Sequence, residues 1–121
     1  MKLTCGTDII EINRIKEAIE NLGDKFLKRI FTENEIEYCE KHKNQKYEHY
    51  AARFAAKEAI FKAISEKKSI LNWNKLEIIN LPNGKPQINF LDKIENLEDI
   101  DISIAHCRNY AVANVIATFK K

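Results

Sequence analysis

Apolar residues along this chain switch from alternate positions to every third or fourth position and then back again. Residues 3–12, LTCGTDIIEI, alternate loosely and are rich in β-branched side chains. That pattern predicts a strand with Asp8 on the same face as Gly6 and Ile10. Beyond it, Ile15, Ala18, Ile19 and Leu22 recur at helical spacing and stop at Gly23, which predicts a helix and then a second, short one. Thr32 followed three residues later by Glu35 is the pattern of a capping box, so a third helix should start there. A polar connector, KNQ, precedes a long helix expected from Tyr47 to Ser65. After residues 66–73, EKKSILNW, the spacing becomes extended. LEIIN and PQINF flank the tight-turn dipeptide Asn83-Gly84, which predicts a hairpin. DISIAHC and YAVANVIATF, joined across RNY, predict another. Helices in the first half and antiparallel strands in the second, with one strand at the start, make an α+β domain, its helices packed on an antiparallel sheet. No repeat, low-complexity tract or linker interrupts residues 1–121, so one domain is expected.

Composition narrows the function classes. With 45% hydrophobic residues in 121, the chain is an ordinary globule with a modest core, and association would be a reasonable source of extra stability. Lys and Arg number 20 against 18 Asp and Glu, a net charge of +2. That balance is expected neither of a nucleic-acid binder nor of a membrane-surface protein. Cys5, Cys39 and Cys107 are odd in number and far apart, which argues against a disulfide framework or zinc knuckle and for reduced thiols. The start, MKLTCGTDII, lacks a signal-peptide pattern, and no apolar run approaches the roughly 20 residues of a membrane span, so a cytoplasmic protein is expected.

Chemistry concentrates in RFAAKEAIFKAI, residues 53–64. On a helix, Phe54 and Phe61 share one face and Glu58 falls between them. A bare charge on an apolar stripe costs several kcal/mol, so Glu58 needs a partner. Asp8, among Ile9 and Ile10, raises the same question. Two carboxylates brought together would suit Mg²⁺, a hard cation that keeps positions for water and phosphate; alternatively each pairs separately with a Lys or Arg. Arg53, Lys57 and Lys62 read either as a solvated helix face with one ordinary ion pair or as cations around a bound phosphate. Asn83-Gly84-Lys85-Pro86 is a turn in its own right. His106 can be a strand-end histidine, a phosphate contact or an acid/base group. Trp73 and the phenylalanines read as core, and Cys107 beside His106 lacks the third group that nucleophilic catalysis needs.

Taken in order, GTDIIEINRI, FTENEIEYC, ARFAAKEAIFKAI, NGKP and ISIAHCRNYAVANVIA resemble the holo-[acyl-carrier-protein] synthases, the short bacterial class of 4'-phosphopantetheinyl transferases, over nearly the whole chain. The resemblance implies that family's fold and its reaction: 4'-phosphopantetheine passes from coenzyme A to a serine of apo acyl carrier protein, releasing adenosine 3',5'-bisphosphate, a step of fatty acid biosynthesis. It implies Mg²⁺ on Asp8 and Glu58, and charge stabilisation by Lys57 and Lys62. It implies coenzyme A contacts from Arg53, Lys57, Lys62, Asn83, Gly84, Lys85, Pro86 and His106. Arg14 matches the family's carrier-protein contact, and Lys16, Lys25, Lys28 and Arg29 extend it into an expected basic patch. A homotrimer with active sites at subunit interfaces is implied as well. Thr7 departs from the apolar residue frequent there, and Ala52 from an expected glycine. The rival readings are a Mg²⁺-dependent phosphohydrolase that uses water as acceptor, and a non-catalytic module in which Glu58 merely forms an ion pair.

Overall fold

In a computed structural model describing residues 1–65 and 72–121, the chain opens with strand β1 (Lys2–Glu11). Helices α1 (Ile12–Leu22), α2 (Asp24–Ile30) and α3 (Glu33–Lys41) follow. After a single 3-10 turn at Lys43–Gln45 comes the long helix α4 (Lys46–Ile64). Another 3-10 turn, Trp73–Lys75, leads to β2 (Leu76–Asn80), β3 (Pro86–Phe90), β4 (Leu97–His106) and β5 (Tyr110–Phe119). The expected passage from helical to extended spacing over residues 66–73 lies largely outside the described residues.

Local signals explain most boundaries. Gly23, at φ 60°, breaks α1 from α2 in a backbone conformation that favours glycine. Thr32 accepts from the Glu35 N–H while Glu35 accepts from the Thr32 N–H, so the capping box forms as expected. The first strand ends one residue early, because the Ile12 N–H donates to Asn109 O beside β5 rather than extending the ladder.

The expected single sheet divides in two. β1, β5 and β4 form a three-stranded antiparallel sheet with β5 central, and β2 and β3 form a separate hairpin. One face of the larger sheet lies against α4, which is buried around most of its circumference. Alanine makes this possible: Ala55, Ala56, Ala59 and Ala63 present so little volume that the helix settles close to the strands. At the crossing, Gly6 meets the Ala59 carbonyl so closely that a Cβ there would collide with it. The other side of α4, through Tyr50, Ala51 and Ala52, packs on Ile12, Ile15 and Ile19 of α1 and on Leu27, Ile30 and Phe31. One helix thus serves both halves of the core. Among the described residues no helix is long and apolar enough to cross a membrane.

Candidate functional site

The crossing of β1 and α4 places two carboxylates together. Asp8 stands two residues beyond Gly6, hence on the same face of β1, and Glu58 directly precedes Ala59. Both line an open cleft of about 530 Å³ with Ile9, Ile10, Glu11, Arg14, Phe54 and Tyr110. Burial raises the Glu58 pKa and the Asp8 charge raises it further, while Lys62 pulls it down. No hydrogen bond or ion pair ends on Glu58 among the described contacts. Lys62, one turn along α4, donates to Thr7 O at 2.9 Å and to Asp8 Oδ1 at 3.3 Å.

This donor set fits a hard divalent cation. Two carboxylates at one cleft leave coordination positions for water and phosphate oxygens, as Mg²⁺ prefers. The Lys62 ammonium against Asp8 is a positive charge already drawn to the pair.

Lys57 corrects the sequence expectation. It neighbours Glu58 in the chain but points about 100° away around the helix. Its fully buried ammonium donates to Glu35 Oε1 at 2.6 Å, Ile30 O at 2.8 Å and Trp73 O at 3.0 Å. All three donors are taken, so Lys57 does not reach the cleft. Burial pushes its pKa down and Glu35 pulls it back. Glu35 was legible only as a cap; it also accepts from the Ile78 N–H at 2.8 Å. Its carboxylate therefore ties α3, α4 and β2 together.

A second group forms around Arg53, which is buried, lies over the Tyr38 ring at 4.2 Å and donates to Asn80 Oδ1 at 2.7 Å. Its Nε is buried without a partner. Asn80 Nδ2 in turn donates to Gly84 O at 3.2 Å, linking Arg53 to the turn of Asn83, Gly84, Lys85 and Pro86. Lys85 reaches Asp101 at 3.4 Å. Asn80 gave no sequence signal, since an asparagine before a turn is commonplace.

All three histidines gather nearby. His106 Nδ1 lies 3.5 Å from Glu48 Oε2, and the His49 ring stands between those of His42 and His106 at 4.6 and 6.2 Å. Tyr38 meets His49 edge-on. Burial first, then the charges of His42, Arg53 and His106, lowers the His49 pKa from 6.5 to about 4. A histidine depressed in the folded state contributes stability above its unfolded pKa and loses it as pH falls through the folded one. Denaturant unfolding should therefore show stability declining from about pH 6.5 to about pH 4, with a visibly shallower decline in His49→Gln. Equal slopes in the two proteins would refute this account.

The expected basic patch is split. Arg14 lies at the carboxylate cleft, 3.6 Å from Glu11. Lys25 and Arg29 border a groove of about 670 Å³ lined also by Leu22, Phe26, Ile30, Phe54 and Trp73. Lys28 lies on a different face with Thr32 and Glu33, and Lys16 is over Tyr47. Helical rotation explains the division: Lys25 and Arg29 are four residues apart, whereas Lys28 is turned about 100° from Arg29.

Comparison with known proteins is consistent with this architecture. The family model of the 4'-phosphopantetheinyl transferase superfamily matches residues 4–115. The holo-[acyl-carrier-protein] synthase of Ruminiclostridium cellulolyticum is 46% identical, across 96% of this chain and 92% of that protein. That of Dehalococcoides mccartyi is 44% identical across 95% and 98%. Among solved structures, a Bacillus anthracis holo-(acyl-carrier-protein) synthase in complex with CoA (3',5'-ADP) superposes with a TM-score of 0.78 at 36% identity, covering 94% of both chains. The Helicobacter pylori synthase in complex with coenzyme A also gives 0.78, at 29% identity, covering 94% of this chain and 99% of that one. With a family model spanning nearly its full length and relatives this similar, the chain belongs to the 4'-phosphopantetheinyl transferase superfamily.

Proposed function

We propose that this protein transfers 4'-phosphopantetheine from coenzyme A to a serine hydroxyl of apo acyl carrier protein, in the cytoplasm and for fatty acid biosynthesis. The observation that carries the reading is the Asp8–Glu58 pair, set by the β1–α4 crossing in one cleft with Lys62 beside it. In the reaction the serine oxygen bonds to the pantetheine-bearing phosphorus, the bond to the departing adenosine 3',5'-bisphosphate breaks, and the serine proton is lost. Mg²⁺ held by Asp8 and Glu58 would supply neutralisation of the pyrophosphate oxygens. Lys62, half exposed and paired with Asp8, is the cation assigned to charge moving onto the leaving phosphate. Lys57 contributes indirectly, by holding α4 against α3 and β2.

Coenzyme A is assigned to the Arg53, Asn83, Gly84, Lys85, Pro86 and His106 side. The orphaned Arg53 Nε and the exposed Lys85 give that side donors for phosphate oxygens. The carrier protein is assigned to Arg14, Lys25 and Arg29, because Phe54 walls both the carboxylate cleft and the groove those lysine and arginine residues border. A homotrimer agrees with the outer face of β1 and β5, which exposes Leu3, Ile9, Tyr110 and Ile116. Ile9 and Tyr110 also line the cleft, so copies packed on that face would border the reaction site. A monomer mass by light scattering would overturn the assembly.

The reading is tested by intact mass. Apo acyl carrier protein incubated with the enzyme, coenzyme A and Mg²⁺ should gain one phosphopantetheinyl group, and a chelator should abolish the gain. An unmodified carrier, with a control transferase active on the same sample, would overturn the transferase. Coenzyme A breakdown in that case would identify a phosphohydrolase, and intact coenzyme A a binding module.

A further inference from the structure

The place of Lys62 poses a question the transfer reaction leaves open. A lysine that serves a departing phosphate should have its ammonium free when substrate arrives. Here it is engaged, on the neutral Thr7 carbonyl at 2.9 Å and on Asp8 Oδ1 at 3.3 Å. Asp8 is one of the two carboxylates that fit a divalent cation, and its side chain is only 16% exposed while that of Lys62 is 53% exposed. The anionic partner is anchored and the cationic one is free to swing. Glu58, on the same helix one turn from Lys62, takes no hydrogen bond or ion pair among the described contacts.

We infer that Lys62 is an exchangeable counterion: its ammonium neutralises Asp8 while the cleft holds no metal, and is displaced when a divalent cation binds Asp8 and Glu58. This inference rests on the metal-site reading of those two carboxylates. The physical grounds are geometric and electrostatic. An ammonium within 3.3 Å of a ligand oxygen shares that oxygen's charge with any incoming cation and repels the cation directly. The contacts it would give up are one carbonyl and one ion pair at the cleft edge, both replaceable by water. Displacement hands the lysine to the space where phosphate oxygens lie, so metal loading and release of the phosphate-binding cation become one event. Coupling of this kind is reciprocal: whatever draws Lys62 off Asp8 must also tighten metal binding.

Arg14 provides the control, since it lines the cleft that holds Asp8 and Glu58 but pairs with Glu11 instead of either proposed ligand. Loss of generic positive charge would act on both residues alike, whereas an exchangeable counterion concerns Lys62 alone. The experiment is a titration of the full-length protein with Mn²⁺ alone, following free Mn²⁺ by electron paramagnetic resonance. Asp8→Asn and Glu58→Gln should lose the site. Lys62→Met should bind Mn²⁺ about fivefold or more tighter than wild type, and Arg14→Met should change affinity clearly less. In wild type, the Lys62 amine, located by peptide mass after mild acylation, should react faster with saturating Mn²⁺ than without metal. Lys62→Met binding no tighter than Arg14→Met, or a Lys62 amine whose reactivity ignores Mn²⁺, would overturn the exchange while leaving the carboxylate site standing. Unchanged binding in Asp8→Asn and Glu58→Gln would instead remove the metal site itself, and the exchange with it.

Discussion

Replacing Glu58 by glutamine is expected to lower kcat/KM for carrier modification by about 10³-fold while leaving the metal-free protein at least as stable at neutral pH. The two effects have opposite signs for one reason. Burial and the neighbouring Asp8 raise the Glu58 pKa, so the fold disfavours the charged form that a metal requires. A group raised in the folded state contributes stability below its ordinary carboxylate value and loses it as pH rises through the raised one. Glutamine keeps the shape and removes that loss, so the advantage of the variant should appear near neutrality and vanish in acid. Mg²⁺ should then stabilise the wild type against unfolding and not the variant. Steady-state kinetics with thermal melts across pH would check both halves. Activity within tenfold of wild type would remove Glu58 from the reaction.

The Lys57→Ala change should act in the contrary direction, costing about 3–5 kcal/mol of stability by leaving the Glu35 carboxylate buried without its cation. Glu35→Ala should cost a comparable amount, since it strands the ammonium beside Phe31 and orphans the Thr32 and Ile78 N–H groups. A double change, Lys57→Met with Glu35→Leu, should recover only part of the loss: it removes the unpaired charge but leaves those two N–H groups unmet. Denaturant unfolding of the wild type and the three variants checks that order. Single variants within about 1 kcal/mol of wild type would mean that the pair contributes little to holding α3, α4 and β2 together.

These two residues mark what a sequence can disclose here. Glu58 was legible because helical spacing alone sets it between Phe54 and Phe61, and Asp8 because strand alternation sets it with Gly6 and Ile10. The hairpin at Asn83-Gly84 and the cap at Thr32 were legible for the same reason, each resting on neighbours within a few positions. Lys57 was misplaced because its environment comes from Glu35, Ile30 and Trp73, all distant in sequence, and no periodicity announces which cation a buried acid will take. The second role of Glu35 was hidden behind its first. Separation of β2–β3 from the larger sheet depends on pairing partners rather than strand content, so strand signals alone merged them.

The contact of Gly6 with the Ala59 carbonyl has a consequence for tolerance. Asp8 and Glu58 hang within two residues of a junction made of backbone on both sides, with no side chain between to shorten or lengthen. Their spacing is thus a property of main-chain geometry, and substitutions in the cleft walls can retune charge, polarity or access without moving the two acids apart. Selection can vary what the cleft admits while the gauge between its carboxylates stays put.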